Sequence, residues 1–305
     1  MHFLILTASL LLLSFTALAE EKTNDIKTPL PAEKEAEIKK EVRTYDEVLN
    51  SRYGLFPHRG TFLLPFTYNA TPDQSLYQAQ RTDPEDQNNG DYNRHVEAEF
   101  QVSFLVPIYR KIARTEWDLI TAYTHHAWWQ LYNARWSRPF RETNYSPELF
   151  ARRIFTDPPG LGQWRLLAFD AGYIHQSNGQ IKEQSRSWDR LFVRSATRYY
   201  DTTMVVALWY RIPEKKVDDD NSSIHKYLGI GEFDLTHNFG KHTLGFHTPI
   251  AWNYYSLEVR YSIPWRDQWR FYTSVRSGYG HSLNDYNHET QRIGVGIILS
   301  DFLDQ

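Results

Sequence analysis

Val96-Glu97-Ala98-Glu99-Phe100-Gln101-Val102-Ser103-Phe104-Leu105-Val106 is the stretch that decides the fold. Val96, Ala98, Phe100, Val102, Phe104 and Val106 occupy alternate positions, with Glu97, Glu99, Gln101 and Ser103 between them. Side chains of an extended strand point to opposite faces in turn, so one face here is apolar and the other polar. Apolar outside and polar inside, over about ten residues, is the length and period of a strand crossing a bilayer in a closed barrel. The same pattern returns towards the end of the chain. Ile293, Val295, Ile297 and Leu299 oppose Arg292, Gly294 and Gly296, and Leu257, Val259, Tyr261 and Ile263 alternate with Glu258, Arg260 and Ser262. Segments of this kind predict strands near 61–68, 93–106, 115–127, 146–155, 163–176, 187–199, 203–212, 226–238, 241–249, 252–263, 267–277 and 290–302. Turn-rich stretches separate them at 83–91, 133–138, 157–162, 218–223 and 278–288. The predicted fold is all-β, a twelve-stranded antiparallel transmembrane β-barrel. A soluble sandwich is the alternative, and charges alternating with aromatics on strands this long argue against it.

Composition agrees. Aromatic residues make up 15 % of the chain, with 20 Tyr and 10 Trp, as girdled transmembrane barrels require. After the N-terminus no apolar run is long enough for a membrane-spanning helix. Leu4 to Phe15 form a short apolar run followed by Ala17-Leu18-Ala19 and the charged Glu20-Glu21-Lys22, which reads as a cleaved signal peptide over residues 1–19. Residues 20–50 are rich in Glu and Lys and read as a polar, solvated leader with a short helix through Ala32–Val42; residues 51–305 form the barrel domain. There is no cysteine, so neither disulfides nor thiol chemistry are available. The net charge of −3 and the lack of a basic block exclude nucleic acid as a partner.

The segment Tyr173-Ile174-His175-Gln176-Ser177-Asn178-Gly179 carries the chemistry. His175 and Ser177 are two apart on a strand and share a face with Leu167, Phe169, Ala171 and Tyr173, so both look outward at the strand end. A base and a hydroxyl within reach of each other supply an activated nucleophile. A third group is needed to hold the imidazole tautomer. Asp189 supplies it from the next strand, where it shares the outward face with Leu191 and Val193. Three polar groups on one apolar surface make a candidate triad. A surface His and Ser beside a turn is the bland alternative.

His175-Gln176-Ser177-Asn178-Gly179, followed by Ser185-Arg186-Ser187-Trp188-Asp189-Arg190-Leu191, resembles the signature of bacterial outer-membrane phospholipase A. So do Trp128-Trp129-Gln130-Leu131 with Pro139-Phe140-Arg141-Glu142-Thr143-Asn144-Tyr145, and Ser277-Gly278-Tyr279-Gly280 with Asp285-Tyr286-Asn287 and Arg292-Ile293-Gly294-Val295-Gly296. The resemblance implies a calcium-dependent outer-membrane phospholipase of A1, A2 and lysophospholipase type, active as a homodimer on the outer barrel wall. It implies Ser177 as nucleophile, His175 as base and the Gly179 N–H as oxyanion donor. It also implies Ser185 and the Gln180 carbonyl as calcium ligands, with Ser137 lent by the partner subunit. Three positions depart from the family's pattern. Asp189 stands where Asn is common and adds a negative charge beside the imidazole; His125 replaces a dimer-interface Gln; and Lys182 replaces an acidic residue of an accessory calcium site whose other partner Asp220 matches. The chain also runs past Phe302 to Leu303-Asp304-Gln305, where such barrels often end in an aromatic.

Other motifs are weaker. His125 and His126 face opposite ways, and no metal-ligand spacing of His or Cys occurs, so no transition-metal site is expected. Asp218-Asp219-Asp220 reads as a solvated acidic loop. Arg186, Arg190, Arg194 and Arg198 recur every four residues and are expected to pair in the lumen with Glu97, Glu99 and Glu258. A non-enzymatic barrel, such as a porin, is the competing function, and the inward charges of both signs favour a filled lumen over an open one.

Overall fold

The computed structural model describes residues 29–51, 54–75, 90–215, 217 and 219–299. The expected signal segment, part of the acidic loop and the C-terminal residues from 300 onward lie outside these. Twelve long strands follow one another. They are β1 (Thr61–Asn69), β2 (Val96–Tyr109), β3 (Trp117–Trp129), β4 (Phe140–Ile154), β5 (Trp164–Ser177), β6 (Ser187–Tyr199), β7 (Thr202–Arg211), β8 (Gly231–Phe239), β9 (His242–Pro249), β10 (Ser256–Arg266), β11 (Trp269–Gly278) and β12 (Thr290–Leu299). Each pairs antiparallel with its neighbours in sequence, and β12 pairs with β1 to close the ring. The twelve-stranded antiparallel barrel expected from the sequence is therefore the fold. Helix α1 (Ala32–Val48) precedes the barrel and a short helix α2 (Ile224–Leu228) precedes β8.

The alternation in the opening stretch is realised. Val96 and Val102 are exposed on the outer wall while Glu97, Glu99 and Ser103 are buried inside. Strand β4 begins earlier than its predicted start near residue 146, because Arg141, Glu142 and Asn144 are lumenal and not turn residues. Arg141 holds Glu97 at 3.0 Å and Asp285 at 2.7 Å, and Arg292 also bonds Glu97. Such pairs make the interior a polar jigsaw, and removing one partner leaves a buried charge, costing about 3–5 kcal/mol.

Two sequence expectations need correction. The arginine series does not pair with Glu97, Glu99 and Glu258. Arg194 binds Asp170 at 2.9 Å and Glu148 at 3.3 Å, and Arg198 binds Glu41 of α1 at 2.9 Å. Arg190 donates to the neutral Gln176 at 2.9 Å. Arg186 sits in the loop before β6 and donates to the carbonyls of Glu183 and Ser185. Partners across the lumen are set by strand register, which the spacing along one strand does not contain.

The segment expected to be a solvated leader is also different in kind over 32–48. Ile38 and Val42, four apart on one face of α1, are buried with Leu105, Ile120, Phe150, Leu167, Ile174 and Phe192 of the barrel. Around this apolar contact Glu35 meets Arg165 at 3.0 Å, Lys34 meets Asp201 at 2.7 Å, and the Tyr45 hydroxyl accepts from Arg152 at 2.9 Å. The helix thus corks the barrel at the end carrying the turns 110–116, 155–163 and 200–201. Loops 130–139, 178–186 and 279–289 crown the opposite end, as extracellular loops crown outer-membrane barrels.

Candidate active site

His175 and Asp189 are register partners across β5 and β6, as are Ser177 and Ser187. His175 Nδ1 lies 2.7 Å from Asp189 Oδ1. The same oxygen accepts the Tyr173 hydroxyl at 2.5 Å. Two donors on one carboxylate answer the cost of placing a charge on a lipid-facing wall. Because Nδ1 is engaged with a carboxylate, it is the protonated nitrogen, and Nε2 is left as the free base. The surroundings are apolar: Leu149, Tyr173, Leu191 and Val193 are all exposed on the outer wall. Leu167 does not belong to this face. A register shift between Leu166 and Ala168 turns it into the lumen, where it is buried against the α1 cluster.

Ser177 closes β5, and its Oγ carries no hydrogen bond among the described residues. The serine and imidazole share a face without a direct bond in this resting chain, a common state for catalytic pairs before substrate binds. Gly179 follows with φ +65, and a Cβ there would approach the Tyr145 ring at 3.2 Å, so both backbone angle and space call for glycine.

Asn178 is the residue that the sequence reading passed over. It is buried, and its Oδ1 accepts the backbone N–H of Gln180 at 3.2 Å and of Arg186 at 3.0 Å. Its Nδ2 donates to the Gln184 carbonyl at 2.7 Å and to Asn284 at 3.1 Å. One side chain therefore cinches the loop that carries Gly179, Gln180 and Ser185. An Asn before a Gly reads as turn chemistry, which hid this role.

Ser185 donates to Asp220 Oδ2 at 2.5 Å, and Asp220 Oδ1 accepts the Ser187 N–H at 3.1 Å. The donor set of hydroxyl, carboxylate and loop carbonyl oxygens is hard and suits calcium. Among the described residues no three His, Cys, Asp or Glu side chains converge as a metal cage. Ser137 is exposed in the 130–139 loop with φ 60, and among the described residues no hydrogen bond links it to Gln180 or Ser185. His125, on the outer wall, packs 5.0 Å from the Tyr145 ring, and its Nε2 is buried without a hydrogen-bond partner among the described residues.

A closed barrel whose outer, lipid-facing wall bears an oriented imidazole and a free serine hydroxyl defines a membrane-embedded hydrolase. The chain belongs to the phospholipase A1 family, whose model matches residues 38–299. It is 35% identical over 291 residues to phospholipase A1 of Proteus vulgaris, covering 95% of both chains, and 36% identical over 244 residues to that of Escherichia coli strain K12, covering 78% of this chain and 83% of the other. Among solved structures it resembles outer membrane phospholipase A from Escherichia coli, with TM-score 0.74, 32% identity, and 83% and 94% of the two chains covered. It also resembles the Salmonella typhi outer membrane phospholipase dimer with bound calcium, with TM-score 0.75, 33% identity, and 84% and 97% covered. It is accordingly an outer-membrane phospholipase, and the non-enzymatic barrel reading is set aside.

Proposed function

We propose that this phospholipase hydrolyses the acyl ester bonds of phospholipids, at both glycerol positions and in lysophospholipids, by a calcium-dependent Ser-His-Asp mechanism on its outer wall. The observation that carries the reading is the 2.7 Å bond between His175 Nδ1 and Asp189, beside Ser177 on one apolar face. His175 Nε2 takes the proton from Ser177 Oγ as that oxygen attacks the acyl carbonyl carbon. The carbonyl oxygen becomes an oxyanion facing the Gly179 N–H, a donor type whose loss costs about 2.7–4 kcal/mol of barrier. Collapse breaks the ester bond, and the departing alkoxide takes the proton from His175. Water, deprotonated by the same imidazole, then frees the fatty acid from Ser177. Throughout, Asp189 holds the ring and stabilises the imidazolium, and Tyr173 holds Asp189.

Ser185, the Gln180 carbonyl and Ser137 of the partner subunit would hold calcium, with Asp220 bracing Ser185. The calcium-bound dimer of the Salmonella typhi relative supports this arrangement. When bound, the ion supplies positive charge next to the oxyanion position.

The test is fatty-acid release from liposomes by the purified, folded barrel, with acyl chains labelled at each glycerol position. Release from both positions in calcium, abolished by chelator, is expected. Release indifferent to chelator, or from neither position, overturns the proposal.

A further inference from the structure

Behind the catalytic wall, inside the barrel and under the crowning loops, lies a cavity of about 170 Å³. Three arginines line it, Arg59, Arg190 and Arg276, against one acidic residue, Glu232. Arg59 already engages that carboxylate at 3.1 Å and Glu148 at 3.3 Å. Arg190 and Arg276 are different. Arg190 has the neutral Gln176 as its hydrogen-bond acceptor and stacks over Trp188 and Trp209, 3.8 and 4.9 Å from the ring centroids. Arg276 donates to the Gly280 carbonyl at 3.1 Å. The Nε of each is buried without an acceptor, and neither guanidinium forms an ion pair among the described residues.

His281 adds a third orphan. Trp128 Nε1 donates to its Nε2 at 2.7 Å, and indole can only donate, so the ring proton is on Nδ1. That Nδ1 is also buried without a hydrogen-bond partner among the described residues. Burial and the neighbouring Arg292 and Arg276 hold the ring well below the usual histidine range, so it is a neutral donor. Residues from β6, β11 and the 279–289 loop thus line one cavity, and each keeps a buried side-chain N–H with no acceptor among the described residues. Glu232 and Glu258 act on Arg190 and Arg276 only at longer range, with no ion-pair contact, whereas an oxyanion would satisfy an N–H edge and the charge together.

We propose that this cavity binds a small inorganic oxyanion of the phosphate class, held by Arg190, Arg276 and the Nδ1–H of His281. The two-pronged edge of guanidinium favours an anion with several oxygens over a spherical halide. The site is distinct from the acyl-hydrolysis site. It lies on the inner side of the same strands, reached by Gln176 between His175 and Ser177, and by Arg190 next to Asp189.

The experiment titrates sodium phosphate into the full-length, detergent-folded barrel in the presence of chelator, with sodium chloride at equal ionic strength as the control. Tryptophan fluorescence reports Trp188 and Trp209 beside Arg190, and the apparent Tm is read in parallel. Expected is a saturable, phosphate-specific change in both signals. Arg190→Gln and Arg276→Gln should each weaken the apparent affinity at least tenfold. Arg153→Gln, which alters an exposed pair with Glu116 outside the cavity, should leave it unchanged. Should Arg190→Gln fail to fold by gel mobility, Arg276→Gln decides. A response that does not saturate, that chloride reproduces, or that survives in the folded variants overturns the proposal.

Discussion

Tyr173 donates its hydroxyl at 2.5 Å to the same Asp189 oxygen that holds His175. The carboxylate is therefore fixed from two sides on a wall where lipid offers no hydrogen bonds. Tyr173→Phe removes one anchor and should lower kcat about two- to tenfold with the barrel intact. Asp189→Asn keeps an oxygen acceptor for the imidazole N–H and should retain activity within about tenfold. Asp189→Ala keeps nothing and should lose about a hundredfold or more. Mixed-micelle assays on the three proteins give the ranking; equal losses in the Asn and Ala variants would remove orientation of His175 as the role of this residue.

Ser177→Ala should abolish hydrolysis of a short-chain phospholipid. The hydroxyl makes no hydrogen bond that the fold depends on, so the heat-modifiable gel shift of the folded barrel should be unchanged. Activity within tenfold of the parent would exclude Ser177 as nucleophile.

Asn178 bonds to four partners that set the loop after Ser177. Asn178→Ala frees that loop, so the calcium concentration giving half-maximal activity should rise about tenfold. Asn284→Ala removes one of the four bonds and should have a smaller effect. A calcium titration of activity separates this from a general loss; an unchanged midpoint with a lower maximum would place Asn178 elsewhere in the reaction.

In the proposed arrangement Ser137 reaches the site from a second subunit, so calcium and dimerisation would reinforce each other. In detergent with chelator the protein should be monomeric and nearly inactive. Calcium with a non-hydrolysed acyl-chain analogue should bring dimer and activity together in analytical ultracentrifugation and assay. Ser137→Ala should raise the calcium needed for both. Full activity from a strictly monomeric species would end the shared-site model.

His281 is held neutral by burial, with its pKa well below the ordinary 6.5. Below that pH the unfolded chain binds a proton that the folded chain refuses, so stability is full above it and falls as pH drops. His281→Gln removes this group, and the decline in unfolding midpoint between neutral and mildly acidic pH should be shallower than in the parent. Coincident pH dependences would show that His281 is protonated within the fold.

The strands were legible because period two survives wherever one face meets lipid: Val96 to Val106 and Ile293 to Leu299 both lie as their alternation says. Leu167 defeated the same reasoning, because a bulge shifts the period by one residue without altering composition. Of the site, His175, Ser177 and Asp189 could be placed on one face from spacing and antiparallel pairing alone. Asn178 could not, since its partners include Asn284, 106 residues away. Ile38 and Val42 sit in a segment whose Glu and Lys content reads as solvated, and nothing in it announces that their apolar side packs inside a barrel.

Helix α1 has a bearing on the order of assembly. The polar groups it engages within the barrel lie between Arg110 and Asp201: Arg110 itself, Arg152, Thr156, Asp157, Arg165, Arg198 and Asp201. All of these polar groups therefore belong to the first two thirds of the chain, before β7 begins. An open sheet of β2 to β6 with its turns already presents them, and Trp209 of β7 adds an apolar contact to the same cluster. The remaining strands are then wound around an occupied axis, and the seam between β1 and β12 closes over a mandrel instead of an empty bore.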